Sequence, residues 1–203
     1  MAVPYRQGYR PFVAARSNSG LRAAYLSLLY MGVAAWAAAV VLIASSGGDD
    51  FYTYALVIPG LCAMVAGKVC AGILLYRCWS CLERHASRVA TKRPPMDPGL
   101  AVALVFIPGV NLFGWFIGLG RLPGELNRMA QALRLDRTAP RDLGHFTAIM
   151  LVCAVIPVVG ILTAALGALV LMPVLICSCS SLSDAIETVL SPAPVPESGA
   201  PIA

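Results

Sequence analysis

Residues 105–118 read VFIPGVNLFGWFIG, and this stretch decides how the chain is arranged. It is apolar enough to lie in a lipid bilayer, but Pro108, Gly109 and Asn111 interrupt it. Proline removes a backbone hydrogen-bond donor, and glycine permits a tight turn. Two structures remain open: a hairpin that enters the membrane and returns on the same side, or a kinked helix that crosses it. Either one must bury its freed backbone groups in protein or along a cavity, so these three residues are candidate functional positions.

The composition of the whole chain is typical of a membrane protein. Its 203 residues are 59% hydrophobic and 12% charged, whereas soluble domains carry about 25% charged residues. Apolar runs of about 20 residues can span a bilayer. The sequence predicts an all-α, polytopic integral membrane helix bundle over residues 21–190, between a basic arm and a flexible Pro-rich tail. The predicted parts are the arm at 1–20, membrane segments at 21–44, 52–80, 98–120 and 146–177, and the tail at 191–203.

The basic residues predict the orientation, because cytoplasmic segments of membrane proteins are enriched in Lys and Arg. The N-terminal arm is rich in Arg, and residues 77–93 hold four Arg and one Lys, so both are assigned to the cytoplasm. Residues 45–54 have two Asp and no basic residue. Residues 121–141 hold five Arg and are also assigned to the cytoplasm, which conflicts with a single crossing at 98–120. A hairpin at 98–120 removes this conflict. Because the charge rule is statistical, a kinked crossing stays open.

The segment at 146–177 is interrupted as well, at Pro157. As one helix it would be about 48 Å long, which exceeds the ~30 Å hydrocarbon core. It is therefore either bent and protruding, or divided into a half-helix and a full span. No Lys or Arg follows Arg141, which favours the outside for the C-terminal tail.

Residues 122–135, between the two interrupted segments, place their apolar side chains on one helical face. This pattern predicts a short amphipathic helix at the membrane surface, which can also continue the preceding helix into the cytoplasm. Within the membrane, helices approach each other at small residues. The candidate helix-packing positions are Gly114, Gly118, Gly160 and Ala164.

Lys68 lies inside the second apolar segment, nine residues before Arg77. This spacing corresponds to about 13 Å of helix, so the charge lies well below the cytoplasmic edge. A charged side chain at this depth is costly and is a functional candidate. Asn111, free carbonyls at the interrupted helices, a lipid phosphate or an acid of another subunit are the partners considered. The alternative is a Lys that extends to the interface and has no special role.

Cys78, Cys81 and His85 form a C-x-x-C-x-x-x-H pattern at the end of the second segment, a weak candidate for a metal or redox site. Ordinary packing is the favoured interpretation, because zinc needs a fourth ligand and the predicted compartment is reducing. Motifs for hydrolysis, phosphate binding and dinucleotide binding are absent from the sequence. The net charge of +5 has no basic soluble domain beside it. We therefore expect no enzyme activity, no cofactor and no nucleic-acid partner.

Residues 76–127 carry a series of matches to a known pattern: Tyr76, Arg77, Trp79, Pro98, Gly99, Ala101, Val102, Phe106, Ile107, Pro108, Asn111, Trp115, Leu122 and Asn127. On these residues the chain resembles a family of bacterial multi-helix membrane proteins of unknown function with an FIPxxN motif. It departs from the family at Asp97, Leu100, Gly109 and Val110. The resemblance covers about a quarter of the chain. It implies a bacterial inner-membrane protein and no particular activity.

These observations predict a non-catalytic accessory, assembly or scaffold subunit of a larger bacterial membrane complex. The alternative is a small transporter, channel or lipid-binding protein that uses the interrupted helices and Lys68. A third hypothesis is a redox or metal protein that uses Cys78, Cys81 and His85. The expected partners are membrane lipids and either other membrane subunits or further copies of the chain. The expected location is the bacterial inner membrane, with a cytoplasmic N-terminus.

Overall fold

A computed structural model describes residues 17–46, 51–86, 89, 96–107, 114–153, 163 and 165–191. Every regular element in these ranges is helical, and three stretches are long and apolar enough to cross a membrane: Ser19–Ser45, Ala55–His85 and Gly167–Leu190. The predicted all-helical fold with membrane-spanning helices is confirmed at this level. The elements are α1 (Ser19–Ser46), α2 (Phe51–His85), α3 (Pro98–Phe106), the π-helical turn π1 (Trp115–Leu119), α4 (Leu122–Ala132), α5 (Arg141–Cys153), the π-helical turn π2 (Gly167–Leu171) and α6 (Met172–Leu190).

Helices α1 and α2 pack closely side by side. A methyl group placed on Gly60 would lie 3.0 Å from Cβ of Ala35, and one placed on Gly32 would lie 3.0 Å from the carbonyl oxygen of Gly60. Glycine is needed at this crossing because the two backbones leave no room for side chains. In each of α1 and α2, only 17% of the 18-residue apolar stretch that could span a membrane is buried within the chain. Their outer faces expose large apolar side chains that suit contact with lipid, including Met31, Val41, Ile58, Val65 and Val69.

Helix α6 lies deeper in the bundle, since 44% of the corresponding 18-residue stretch within Gly167–Leu190 is buried. A hydrogen bond connects the start of α6 to α1. Pro173 has no N–H to donate to the carbonyl of Leu169, one turn earlier. The hydroxyl of Tyr30 donates to that carbonyl instead, at 3.1 Å. Freed carbonyls in membrane helices are commonly satisfied by a neighbouring helix in this way.

Helix α3 begins and ends for local reasons. The Asp97 side chain caps its N-terminus by accepting from the backbone N–H of Gly99 at 2.8 Å and of Leu100 at 3.2 Å. The helix ends at Phe106, and Ile107 is extended with ψ 120°. A residue before proline is driven out of the helical region, so Pro108 accounts for this end. Pro108, Gly109 and Asn111 themselves lie outside the described residues.

The described parts of the third segment lie against each other. A methyl group on Gly118 would be 2.6 Å from Cγ2 of Val105 and 3.0 Å from the carbonyl oxygen of Ala101, while Gly114 faces the carbonyl of Leu104. In one continuous helix, residues 101 and 118 would be about 25 Å apart. The segment therefore runs back antiparallel to α3, with Gly114 and Gly118 buried in the contact.

The fourth segment differs from the predicted 146–177. It is divided into α5, which begins at Arg141, and a second stretch that ends at Leu190. Gly167 lies against Met150 and Leu151, with a methyl group on Gly167 3.4 Å from Cβ of Met150. In one continuous helix residues 151 and 167 would be about 24 Å apart, so the start of π2 lies back beside the end of α5. Pro157, Gly160 and Ala164 lie outside the described residues.

Helix α4 is amphipathic, but its apolar face is covered by protein rather than left for lipid. Leu122, Leu126, Met129 and Ala130 are at most 1% exposed, and the helix packs against α2 and α6. It ends at Ala132, earlier than the predicted 135. The chain after α4 is held by Asn127, whose side chain donates to the carbonyl of Ala139 at 2.8 Å and accepts from its N–H at 2.7 Å.

Candidate functional site

A group of polar side chains, here called the α1–α6 polar cluster, joins three helices at one end of the bundle. The Asp184 carboxylate accepts from the backbone N–H of Asn18 at 3.1 Å, from its Nδ2 at 2.5 Å and from Arg22 at 3.0 Å. Arg77 donates to Oδ1 of Asn18 at 2.5 Å, and Arg22 also donates to the Ser180 hydroxyl at 3.3 Å. Asn18 is only 3% exposed, so its amide is satisfied by protein on both sides.

The α1–α6 polar cluster places the start of α1 and the C-terminal halves of α2 and α6 at one end of the bundle. The sequence favoured opposite sides for the basic arm and the C-terminal tail, because no Lys or Arg follows Arg141. Asp184 lies beside Asn18 and Arg22, which places the end of α6 at the same end of the bundle as the start of α1; the tail itself lies outside the described residues. The basic residues that hold this end belong to α1 and α2, so counting charges along α6 alone could not reveal them.

A second group at the same end brings together three metal-ligating side chains. Cys81 and His85 lie one helical turn apart on α2, and Glu187 reaches them from α6. The ligand atoms of the three residues all lie within 4.8 Å of one another. Cys81 and His85 are buried and Glu187 is partly buried. Thiolate, imidazole and carboxylate are all established ligands of Zn²⁺.

Contacts around this trio of Cys81, His85 and Glu187 involve its neighbours on both helices. The Cys81 thiol lies 3.9 Å from the carbonyl oxygen of Ser183, and the Glu187 carboxylate pairs with Arg84 at 3.4 Å. The Arg84 side chain is 59% exposed. An ion pair this open to solvent contributes about 0–1 kcal/mol, so Arg84 can yield to a competing cation.

The three residues that converge in the structure differ from the three that the sequence suggested as a metal site. Cys78 is not one of the converging ligands; it lies in the apolar core at 1% exposure. Glu187 joins Cys81 and His85 instead, from a helix about one hundred residues further along the chain. Sequence spacing could suggest the pair on α2, but it could not identify a ligand contributed by α6.

Lys68 is exposed on α2, within the stretch Ala55–His85 that can span a membrane. Gly72 lies one turn further along the same face, and a methyl group there would be 3.4 Å from the ring of Phe106. Lys68 is therefore on the face of α2 that meets the C-terminal end of α3. Ion pairs within the described part of the chain include Arg22–Asp184, Arg84–Glu187 and Arg128–Glu125, and Lys68 takes part in none of these three.

No protein-family model, no curated protein and no solved structure matches this chain. The resemblance of residues 76–127 to the FIPxxN family therefore stays a prediction. Within this stretch the structure gives physical roles to Trp79 and Asn127. The indole N–H of Trp79 donates to the carbonyl of Gly118 at 3.3 Å, which fastens π1 to α2. Asn127 fixes the chain between α4 and α5.

Proposed function

We propose that the protein is a non-catalytic, multi-pass subunit that assembles with other proteins in the bacterial inner membrane. The observation that supports this most directly is Lys68, a basic side chain exposed on a helix that can span a membrane. A charge at this depth is costly unless it is paired. Asp184 and Glu187 of α6 are already paired with Arg22 and Arg84. Arg84 lies at the C-terminal end of α2, sixteen residues beyond Lys68. A partner subunit that carries an acidic side chain would complete the pair.

The proposed topology has four crossings and one hairpin that enters the membrane and returns. The antiparallel contact between Gly118 and α3 supports a hairpin at 98–120. The stretch Gly167–Leu190 can span a membrane and ends beside the start of α1, so we assign the remaining crossing to the part of the chain before it, which includes α5. This topology places the N-terminal arm, residues 77–93 and residues 121–141 together in the cytoplasm. The charge conflict at 121–141 then disappears, because every Arg-rich segment lies on one side.

The end of α3 strengthens the case for Lys68 as a docking position. The last carbonyls of a helix lack partners within that helix and carry partial negative charge. Phe106 lies against Gly72, and Lys68 is one turn earlier on that face of α2, so we place its ammonium group on the side of α2 that faces this negative helix end. A partner that packs here would meet a cation that has no ion pair among the described residues, and the C-terminal end of α3.

The proposal is tested by purification of the tagged protein from native membranes in mild detergent, followed by mass spectrometry with quantified stoichiometry. We expect a membrane protein in fixed ratio with the wild type and with Lys68→Arg, which keeps the charge. Lys68→Met should lower its recovery about tenfold or more, since the partner's acid is left unpaired in the membrane. Val69→Ala, at the next residue, which is also exposed, should have no effect. Recovery of the protein alone in every case would contradict the proposal.

A second candidate function is supported by the position of Lys68 on the face of α2 where Gly72 meets Phe106, the last residue of α3. An interrupted helix beside a basic residue inside the membrane is an arrangement that transporters use for ions and anionic substrates. Reconstitution in liposomes distinguishes the candidates. Solute or ion flux that is present in the wild type and lost in Lys68→Ala would favour transport or lipid binding, whereas the accessory subunit alone should give no flux.

A further inference from the structure

We propose that Cys81, His85 and Glu187 form a zinc site that clamps α2 to α6 at the cytoplasmic end of the bundle. The proposal does not depend on Lys68 or on a partner subunit. It rests on three side chains of the right chemistry, brought together from two helices, with their ligand atoms within 4.8 Å of one another.

The geometry needs only a small contraction. Ligand atoms in a tetrahedral zinc site lie roughly 3.3–3.8 Å apart, given metal–ligand distances of about 2.0–2.3 Å. Cys81 and His85 are at positions i and i+4, so both side chains project over the same turn of α2. Glu187 approaches from α6, and rotation about its side-chain bonds can supply the remaining shift. Three protein ligands leave a fourth position for a water molecule.

The charges balance in a buried setting. Zn²⁺ binding replaces the thiol proton of Cys81, which is released to solvent, and forms a bond to the thiolate. One thiolate, one carboxylate and a neutral imidazole then offset the two positive charges of the ion. A neutral assembly avoids the large cost of placing an unpaired charge in a buried site. The thiolate also selects against Mg²⁺ and Ca²⁺, which prefer oxygen ligands.

A zinc ion can reach Glu187 from solvent, and it must displace Arg84, with which Glu187 is paired. Glu187 keeps 18% of its side chain exposed, and its partner Arg84 keeps 59%. A zinc ion can therefore reach the carboxylate from solvent by taking the place of the Arg84 guanidinium. Arg84 is thus a competitor of the metal, and its removal should strengthen binding.

The experiment is a metal titration of the full-length protein in detergent, after treatment with a chelator. We expect one zinc per chain by elemental analysis, and with Co²⁺ a thiolate-to-cobalt charge-transfer band in the near ultraviolet. Cys81→Ser should abolish the band, and His85→Gln and Glu187→Gln should each weaken binding about 100-fold or more, because each removes a ligand. Cys78→Ser is the matched control from the same helix and should keep the band.

Arg84→Gln separates a metal site from a merely structural contact. It should tighten Zn²⁺ binding about two- to fivefold, the range expected for loss of an exposed competing ion pair. A variant that only damages the fold cannot bind more tightly. Absence of stoichiometric zinc, stoichiometric copper in its place, an unchanged band in Cys81→Ser, or equal loss in Cys78→Ser would each overturn the proposal.

Discussion

The carboxylate of Asp184 should be a major determinant of how the last helix is held, and Asp184→Asn tests this. The carboxylate accepts three hydrogen bonds, two from Asn18 and one from Arg22. The Arg22 and Asp184 side chains are 21% and 18% exposed, so the pair is partly screened by solvent. Breaking a fully buried pair costs about 3–5 kcal/mol, and exposed pairs contribute about 0–1 kcal/mol. Because Asn keeps one acceptor oxygen, we expect Asp184→Asn to lower the free energy of unfolding by about 2 kcal/mol.

The assay is unfolding in mixed micelles with increasing denaturing detergent, followed by tryptophan fluorescence. Glu125→Gln is the matched control, because it breaks the Glu125–Arg128 pair, in which the Arg128 side chain is 68% exposed. That change should cost no more than about 0.5 kcal/mol. The double variant Arg22→Met with Asp184→Asn should cost less than the sum of the single changes, since neither charge is then left alone. Equal effects of Asp184→Asn and Glu125→Gln, or strict additivity in the double variant, would refute the reasoning.

Three further predictions concern packing and hydrogen bonds within the bundle. Stability is measured by the same unfolding assay, and proteolysis is added for the third. Gly118→Ala should lower the free energy of unfolding by about 1–3 kcal/mol, because the added methyl would lie 2.6 Å from Val105 Cγ2. Adding Val105→Ala should restore part of this stability. An unchanged stability in Gly118→Ala would contradict the antiparallel contact. Tyr30→Phe should cost about 1 kcal/mol, because it removes the 3.1 Å hydrogen bond to Leu169; a neutral result would contradict that role. Asn127→Leu should cost about 1–3 kcal/mol by leaving two backbone groups unsatisfied, and should speed proteolysis of residues 133–140; unchanged cleavage would contradict this.

Local features of the sequence predicted the beginnings and ends of several elements. The apolar runs located α1 and α2, although both helices extend a few residues beyond 21–44 and 52–80. The interruption at Pro108 was predicted, and α3 ends just before it because a residue that precedes proline leaves the helical region. The helix start at Asp97 was not predicted, although its cause is equally local. The amphipathic pattern located α4, but the same pattern could not show that protein, rather than lipid, covers its apolar face.

Features that depend on distant residues could not be predicted. The fourth segment was expected to end at 177, because Asp184 and Glu187 are poor candidates for an apolar helix. They lie within α6 because Asn18 and Arg22, up to 166 residues away, and Arg84 satisfy their charges. The same long separation concealed Glu187 as a companion of Cys81 and His85. The position of the end of α6 beside the start of α1 could not be predicted for the same reason.

The central claim is that the Arg-rich residues after π1 lie on the same side of the membrane as the start of α1 and the end of α6. It is tested most directly with a membrane-impermeant maleimide and single cysteines placed in a variant that lacks the seven native ones. The three positions are Ser45, Asp136 and Thr188, all of which are exposed. The account predicts labelling of Ser45→Cys in intact cells, and labelling of Asp136→Cys and Thr188→Cys only after the membrane is opened. Labelling of Asp136→Cys in intact cells would mean that residues 98–120 cross the membrane, and would contradict the account.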